Sequence, residues 1–306
     1  MVRIRNLRKS YGSYQALRGL TMEIPRGELF GFVGPNGAGK TTTMKIIAGL
    51  MRADSGEVVV ADRMLSGKTG QIREMVGYVP DFFGVYDDLK VQEYLEFFAS
   101  LYGMDGKEAR RRTAELLEML GMTQLRDEMV DGMSRGMKQK LCVARALVNT
   151  PELLILDEPA SGMEPRYRRQ LKELLQELCA EGMTILISSH NLNELAEMCT
   201  SIGVISKGRM VMQGDVPTLL RRQRETNPYV LQCLSFPEEA IQILKSDPHV
   251  KNIASSGTNI SFPYDGTEEE AAELLTALVA KGAQIVSFYR EEGSLEKMFL
   301  DMTTVP

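Results

Sequence analysis

Histidine and cysteine are scarce in this 306-residue chain, and neither falls into a pattern. The histidines are His190 and His249, and the four cysteines, Cys142, Cys179, Cys199 and Cys233, form no CxxC pair. Neither a disulfide framework nor a zinc site is therefore expected. Long hydrophobic runs are missing as well. No window approaches the ~20 apolar residues that cross a bilayer, and MVRIRNLRKSYGSY at the start has no apolar core of signal-peptide length. The expected setting is a reducing cytosol, with any membrane role reached through a partner. Positive charge is not in excess: 36 Lys+Arg face 41 Asp+Glu, a formal charge of -5, so no nucleic-acid partner is expected. What is present is an ordinary globular mixture, 43% hydrophobic and 25% charged, which excludes wholesale disorder and a coiled-coil rod. At roughly 150 residues per domain, the length suggests two domains.

The apolar run ELFGFV at 28–33 is bounded by glycines and followed by a periodic segment from Lys40 to Leu50, which reads strand, loop, helix. LLIL at 153–156 and TILI at 184–187 are two more buried-strand candidates, separated by a helical stretch at 166–180. Such alternation implies a parallel sheet covered on both faces. Residues 88–149 carry helical periods throughout and read as a helical subdomain inserted into the sheet domain. A hairpin is expected over 202–215 around Lys207-Gly208, and a domain boundary in the polar stretch RRQRETNP that follows it. From residue 229 the periods run strand, helix, strand (VKNIAS), strand, helix, strand, the βαββαβ order of a ferredoxin-like domain. Its second helix has a capping box in Thr267 and Glu270, and Gly282 as its stop. The expected fold is thus an α/β P-loop sheet domain over 1–220, with its helical subdomain, followed by a small α+β ferredoxin-like domain over 229–306.

Gly34 to Thr42 reads GPNGAGKTT, satisfying GxxxxGK[ST] after a predicted strand and at the opening of a helix. The segment comprises Gly34, Pro35, Asn36, Gly37, Ala38, Gly39, Lys40, Thr41 and Thr42. Glycines there let successive backbone N–H groups turn inward around phosphates at the positive end of a helix. Lys40 then reaches the β- and γ-phosphates, and the Thr41 hydroxyl binds Mg²⁺. LLILDEP places Asp157 and Glu158 just beyond a buried strand, at the edge where a parallel sheet presents ligands. Asp157 suits a Mg²⁺ ligand, and Glu158 the group that polarises an attacking water.

Between these motifs lies DGMSRGMKQKL at 131–141, with Ser134 placed 23 residues before Asp157. In this the sequence resembles the ATPase subunits of ABC transporters, whose signature LSGGQ precedes a helix and then the carboxylate strand. The resemblance spans about residues 1–215. It implies that Ser134, Gly136 and the helix start beyond them approach the γ-phosphate bound by another copy of the cassette. It implies that His190, closing TILISSH, contacts the γ-phosphate and orients water with Glu158. It also implies that Tyr11 stacks on adenine, with Tyr14 a competing candidate. Three motifs depart from the family: in the signature, Arg135 and Met137 replace a glycine and the glutamine; Asp81 stands where the family has a glutamine after YVP; and Glu164 replaces an aspartate. Asp81 is expected either to ligate Mg²⁺ or to swing clear of the site.

Seven of the twenty Phe and Tyr residues fall between 82 and 102. Helical spacing assigns Tyr94, Phe97 and Phe98 to the subdomain core, whereas Phe82, Phe83 and Tyr86 are better interface candidates, in the region where the family receives a short helix of the membrane subunit. The resemblance, with a C-terminal extension closing in GSLEKMFLDMT, implies the ATP-hydrolysing subunit of an exporter, peripheral on the cytoplasmic face of the membrane. Its implied partners are a membrane-spanning permease and a second ATPase subunit, identical or paired, with ATP and Mg²⁺ bound. Two other readings stay open from the sequence: a soluble ABC ATPase uncoupled from transport, and a weakly hydrolysing regulatory subunit.

Overall fold

The computed structural model describes residues 1–65, 70–81, 84, 86, 88–235 and 238–291. The chain falls into two compact units, Met1–Val216 and Pro217–Pro306.

The first unit opens with β1 (Val2–Tyr11) and β2 (Tyr14–Ile24), a hairpin closed where Tyr11 pairs with Tyr14. Next come β3 (Leu29–Val33), all five residues buried, and α1 (Lys40–Ile47). β4 (Ser55–Val60) and β5 (Arg63–Met64) complete a four-stranded antiparallel sheet in the order β2-β1-β4-β5. That sheet has no counterpart in the sequence reading. β1 buries Val2, Ile4 and Leu7 between exposed residues, so it contains no continuous apolar run.

α2 (Gly70–Met75) leads into β6 (Val76–Val79). The helical region then follows as α3 (Val91–Leu101), α4 (Gly106–Met119), a 3₁₀ turn at Thr123–Leu125, and α5 (Arg135–Leu147). Local chemistry sets its helix starts: the Asp105 carboxylate accepts from the Lys107 and Glu108 N–H groups at 2.8 Å, and Ser134 Oγ accepts from Met137 N at 3.3 Å. Tyr94 is fully buried, but Phe97, expected in the core, is 42% exposed. It packs edge-on against the exposed Tyr86 ring, 5.7 Å away, so the stripe is wider than the face the helix can bury. Phe82 and Phe83 lie outside the described residues.

β7 (Leu153–Leu156), α6 (Pro165–Ala180), β8 (Thr184–Ser189), α7 (Leu192–Met198), β9 (Ser201–Ser206), β10 (Arg209–Asp215) and α8 (Val216–Thr226) follow. The β9–β10 turn sits on Lys207 (φ 47) and Gly208 (φ 75), the paired positive φ of a tight hairpin. The central sheet has the order β10-β9-β3-β8-β7-β6, parallel except for β10. β3, β8 and β7 are therefore adjacent and point the same way. The phosphate loop, His190 and the Asp157-Glu158 pair, which follow these three strands, are delivered to one edge.

The second unit comprises β11 (Tyr229–Cys233), α9 (Glu238–Ser246), β12 (Ala254–Ser256), β13 (Asn259–Phe262), α10 (Glu268–Ala280) and β14 (Ile285–Arg290). Its antiparallel sheet runs β12-β13-β11-β14 over a core that includes Tyr229, Leu231, Ile260, Phe262, Leu274 and Leu278, the ferredoxin-like arrangement. β12 is shorter than the strand expected over VKNIAS. Val250 makes only an isolated bridge to Tyr264, because the chain turns at Asn252 with φ 47. The capping box forms in both directions, Glu270 N to Thr267 Oγ1 at 3.2 Å and Thr267 N to Glu270 Oε2 at 2.7 Å. Gly282 follows the helix with φ 95. The closing segment GSLEKMFLDMT lies outside the described residues.

Candidate nucleotide-binding site

The loop between β3 and α1 is shaped by glycines that no other residue replaces easily. Gly37 and Gly39 have φ 79 and 110, and a Cβ on Gly39 would meet Leu17 Cδ2 at 2.7 Å and the Ala16 carbonyl at 2.9 Å. The loop encloses a concave surface lined with backbone, and the Lys40 side chain folds back into it, only 6% exposed. Its ammonium donates to the Gly34 carbonyl at 2.6 Å and stands 3.3 Å from Glu158 Oε1, close in charge but outside hydrogen-bond geometry.

The two carboxylates beyond β7 have different surroundings. Asp157, 1% exposed, accepts the Ser188 hydroxyl on Oδ1 at 2.7 Å, while its buried Oδ2 has no partner. Glu158 is turned outward by a left-handed backbone, φ 48, a conformation that costs a non-glycine residue roughly 1–2 kcal/mol. Its N–H is anchored on Ser188 Oγ at 2.9 Å, and its Oε2 lies 2.9 Å from His190 Nδ1. Glu158 is thus held in a fork between Lys40 and His190. Ser188, which ties the Asp157 carboxylate and the Glu158 backbone N–H to β8, was not singled out from the sequence. The signal available was a polar pair, Ser188-Ser189, ending an otherwise apolar strand just before His190.

Lys40, Glu158 and His190 line a cleft of about 330 Å³ together with Tyr11, Tyr14, Pro35, Asn36, Thr41, Thr42, Asp81 and Ser161, whereas the buried Asp157 and Ser188 are not among its walls. Of the residues expected at the site, Gly37, Gly39, Lys40, Glu158 and His190 are also among its walls, whereas Gly34 and Ala38 sit behind them. A Cβ on Gly34 would run into the Ile205 carbonyl at 2.4 Å, so its role in the loop is close packing. Tyr11 is 47% exposed, with its hydroxyl 3.0 Å from Met51 Sδ. Tyr14 is instead tethered, donating to the Gly37 carbonyl at 2.9 Å. Asp81 enters the cleft from the end of β6. Burial, then Asp157 and Glu158, push its carboxyl above the usual range, while Arg135 and Lys40 oppose them. The buried Tyr78 hydroxyl is pushed up too, first by burial and then by the Asp157 charge.

Ser134 and Gly136 are not brought to this cleft. They line a separate groove of about 600 Å³ with Arg135, Lys140, Gly162 and Glu164. Beneath it the Tyr167 ring passes 3.5 Å from the position a Cβ on Gly136 would take.

A glycine cradle at a helix start, a buried lysine and two consecutive carboxylates at the end of a strand of the same parallel sheet define a P-loop nucleotide-hydrolysing cassette. Residues 17–161 match the family described as ABC transporter, and residues 217–303 match the C-terminal domain of DrrA1-3-like ATP-binding proteins. The linearmycin resistance ATP-binding protein LnrL of Bacillus subtilis is 32% identical over 305 residues, covering 99% of this chain and 98% of that protein. Nod factor export ATP-binding protein I of Cupriavidus metallidurans is 33% identical over 303 residues, covering 99% and 97%. Among solved structures, a dimeric post-hydrolysis state of an ATP-binding cassette bound to ADP and Pi superposes with a TM-score of 0.65 at 26% identity, over 71% of this chain and 99% of that one. The ATP-binding subunit of an ABC transporter gives a TM-score of 0.66 at 30% identity, over 73% and 93%. The chain belongs to the ATP-binding subunits of the ABC transporter family. It binds and hydrolyses ATP to power a membrane transporter. Among the described residues no helix is long and apolar enough to cross a membrane.

Proposed function

We propose that the chain drives export by closing head to tail on a second cassette, identical or paired, so that each ATP lies between one phosphate loop and the opposite signature helix. The observation that carries this reading is the separation of two half-sites within one chain. Lys40, Thr41, Glu158 and His190 line one cleft, and Ser134 and Gly136 line another groove. A hydroxyl and free N–H groups at the start of a 13-residue helix suit an anion that its own cleft does not supply. Export is supported by the relatives named for Nod factor export and linearmycin resistance, and by the shared C-terminal domain.

In this reading the N–H groups of Gly34 through Thr42 cradle the phosphates. Lys40 exchanges the Gly34 carbonyl and Glu158 for the β/γ-phosphate oxygens, and Tyr11, exposed beside Thr42, offers its ring to adenine. Glu158 polarises the attacking water, and His190 holds the carboxylate in place from Nδ1. The unpartnered Oδ2 of Asp157 is the buried anionic oxygen that a divalent cation needs, so the donor set fits Mg²⁺, with Thr41 and Asp81 as further oxygen donors. When bound, Mg²⁺ neutralises phosphate charge. The subunit sits on the cytoplasmic face of the membrane against a separate permease, with the exposed Tyr86 and Phe97 facing that partner, and the domain over 229–306 supports the dimer.

Substituting Glu158→Gln is expected to preserve ATP binding while cutting turnover by roughly two or more orders of magnitude, the contribution of a positioned base. An ATP-dependent dimer should then persist in gel filtration. Near-normal turnover of the variant would remove Glu158 from this role.

A further inference from the structure

The phosphate loop is packed closely at its base and barely at its tip. Gly34 lies against the Ile205 carbonyl, Gly39 against Leu17 and the Ala16 carbonyl, and the Ala38 carbonyl accepts from Gly208 N at 3.0 Å. Pro35, Asn36 and Gly37, in contrast, are exposed. They form a turn closed by Ala38 N, which donates to the Pro35 carbonyl at 3.1 Å, with Gly37 left-handed at φ 79. A glycine leaves such a conformation easily, because positive and negative φ are about equally open to it.

A side chain from outside the loop reaches this tip. Tyr14 opens β2 directly across the hairpin from Tyr11, so the two rings share a face, and both line the cleft. Their hydroxyls are used differently. That of Tyr11 lies 3.0 Å from Met51 Sδ and 3.4 Å from Thr42 Oγ1. That of Tyr14 donates to the Gly37 carbonyl at 2.9 Å. Among the described residues, and apart from the immediate chain neighbours, it is the one atom within 4 Å of the place a Cβ on Gly37 would take. The peptide unit joining Gly37 to Ala38 is therefore held at both ends, its N–H by the turn and its C=O by Tyr14.

We propose that Tyr14 is a positioning residue for triphosphate binding: its hydroxyl latches the tip of the phosphate loop before the ligand arrives, and its ring takes no part in recognising the base. The two tyrosines of one hairpin divide the ligand between them, Tyr11 meeting adenine and Tyr14 preparing the loop for the phosphates. The gain is order set in advance, since a loop that must be fixed on binding costs affinity. This rests on the reading of the Lys40 cleft as the ATP site.

The test compares ATP with inorganic tripolyphosphate, which has the same chain of phosphates and no base. Affinities are read by calorimetry on the full chain in EDTA, where hydrolysis lacks its divalent cation. Tyr14→Phe keeps the ring and removes the hydroxyl. It is expected to weaken both ligands alike, by about fivefold, the worth of one net hydrogen bond, and Tyr14→Ala should match it within about twofold. Tyr11→Ala should show the opposite split, a larger loss for ATP than for tripolyphosphate. Amide exchange over residues 35–39 of the nucleotide-free chain should be faster in Tyr14→Phe, which a direct contact with the ligand would not produce. A loss confined to ATP in Tyr14→Phe would overturn the proposal by placing the hydroxyl on the nucleoside. Unaltered affinities or unaltered exchange in that variant would overturn it by showing that the latch holds nothing. Weakening in Tyr14→Ala alone would overturn it by giving the role to the ring, and equal loss of both ligands in Tyr11→Ala would overturn the division of labour. An unaltered chain that binds ATP but not tripolyphosphate would overturn this proposal and leave the ATP site standing, whereas one that binds neither would overturn both.

Discussion

Asp157 and Glu158 are adjacent in the chain, yet one is buried and the other faces the cleft, and a single side chain on the next strand accounts for both placements. Ser188 Oγ donates to Asp157 Oδ1 at 2.7 Å and accepts from Glu158 N at 2.9 Å, pinning the step at which the backbone turns left-handed. Replacing it by alanine leaves a buried carboxylate with neither oxygen bonded, a loss worth about 1–3 kcal/mol. Ser188→Ala is therefore expected to lower turnover more than nucleotide affinity, checked by comparing kcat with the ATP dissociation constant; an unchanged kcat would show that Ser188 does not hold the pair. Lys40→Ala should act on affinity instead, because its charge meets the phosphates in the ground state. Unchanged ATP affinity would contradict the phosphate-loop assignment. At this scale the placement of Lys40 at the start of α1 and of Asp157 and Glu158 just beyond β7 was legible from spacing alone. Ser188 was not, since its importance comes from strand adjacency and not from sequence distance.

Helices and apolar strands matched the sequence reading closely where the pattern was local. LLIL over 153–156 is β7 residue for residue, and the capping box at Thr267 fixes the start of α10. The antiparallel sheet of β1, β2, β4 and β5 went unread because its strands alternate and its register contains irregularities. How α5 meets the central sheet was likewise not legible. A Cβ on Gly77 of β6 would stand 2.3 Å from the Ala146 carbonyl and 3.1 Å from Pro151 Cγ, so the helix that carries the signature rests on bare backbone. Gly77→Ala must push α5 outward, an overpacking cost of about 1–3 kcal/mol. At roughly 2–4 °C per kcal/mol for a unit of this size, a melting temperature several degrees lower is expected by calorimetry. A melting temperature equal to that of the unaltered chain would mean that α5 does not sit this close.

The two compact units carry separate cores, and the cleft around Lys40 is lined by residues of the first alone. Deleting residues 229–306 is accordingly expected to reduce dimer stability or ATPase activity while leaving nucleotide binding in place, measured by sedimentation and by calorimetry. Loss of binding in a truncation that circular dichroism shows to be folded would refute the division. The sequence by itself determined the family, the phosphate loop, the carboxylate strand and the βαββαβ order of the second unit, because each is written in local spacing and hydrophobic period. Only the tertiary structure decided that Glu158 sits in a fork between Lys40 and His190 and that Ser188 anchors both the Asp157 carboxylate and the Glu158 N–H. Those contacts depend on the order β3-β8-β7 within a parallel sheet and on helices packed against it, and strand order is set by burial of whole elements rather than by any short run of residues.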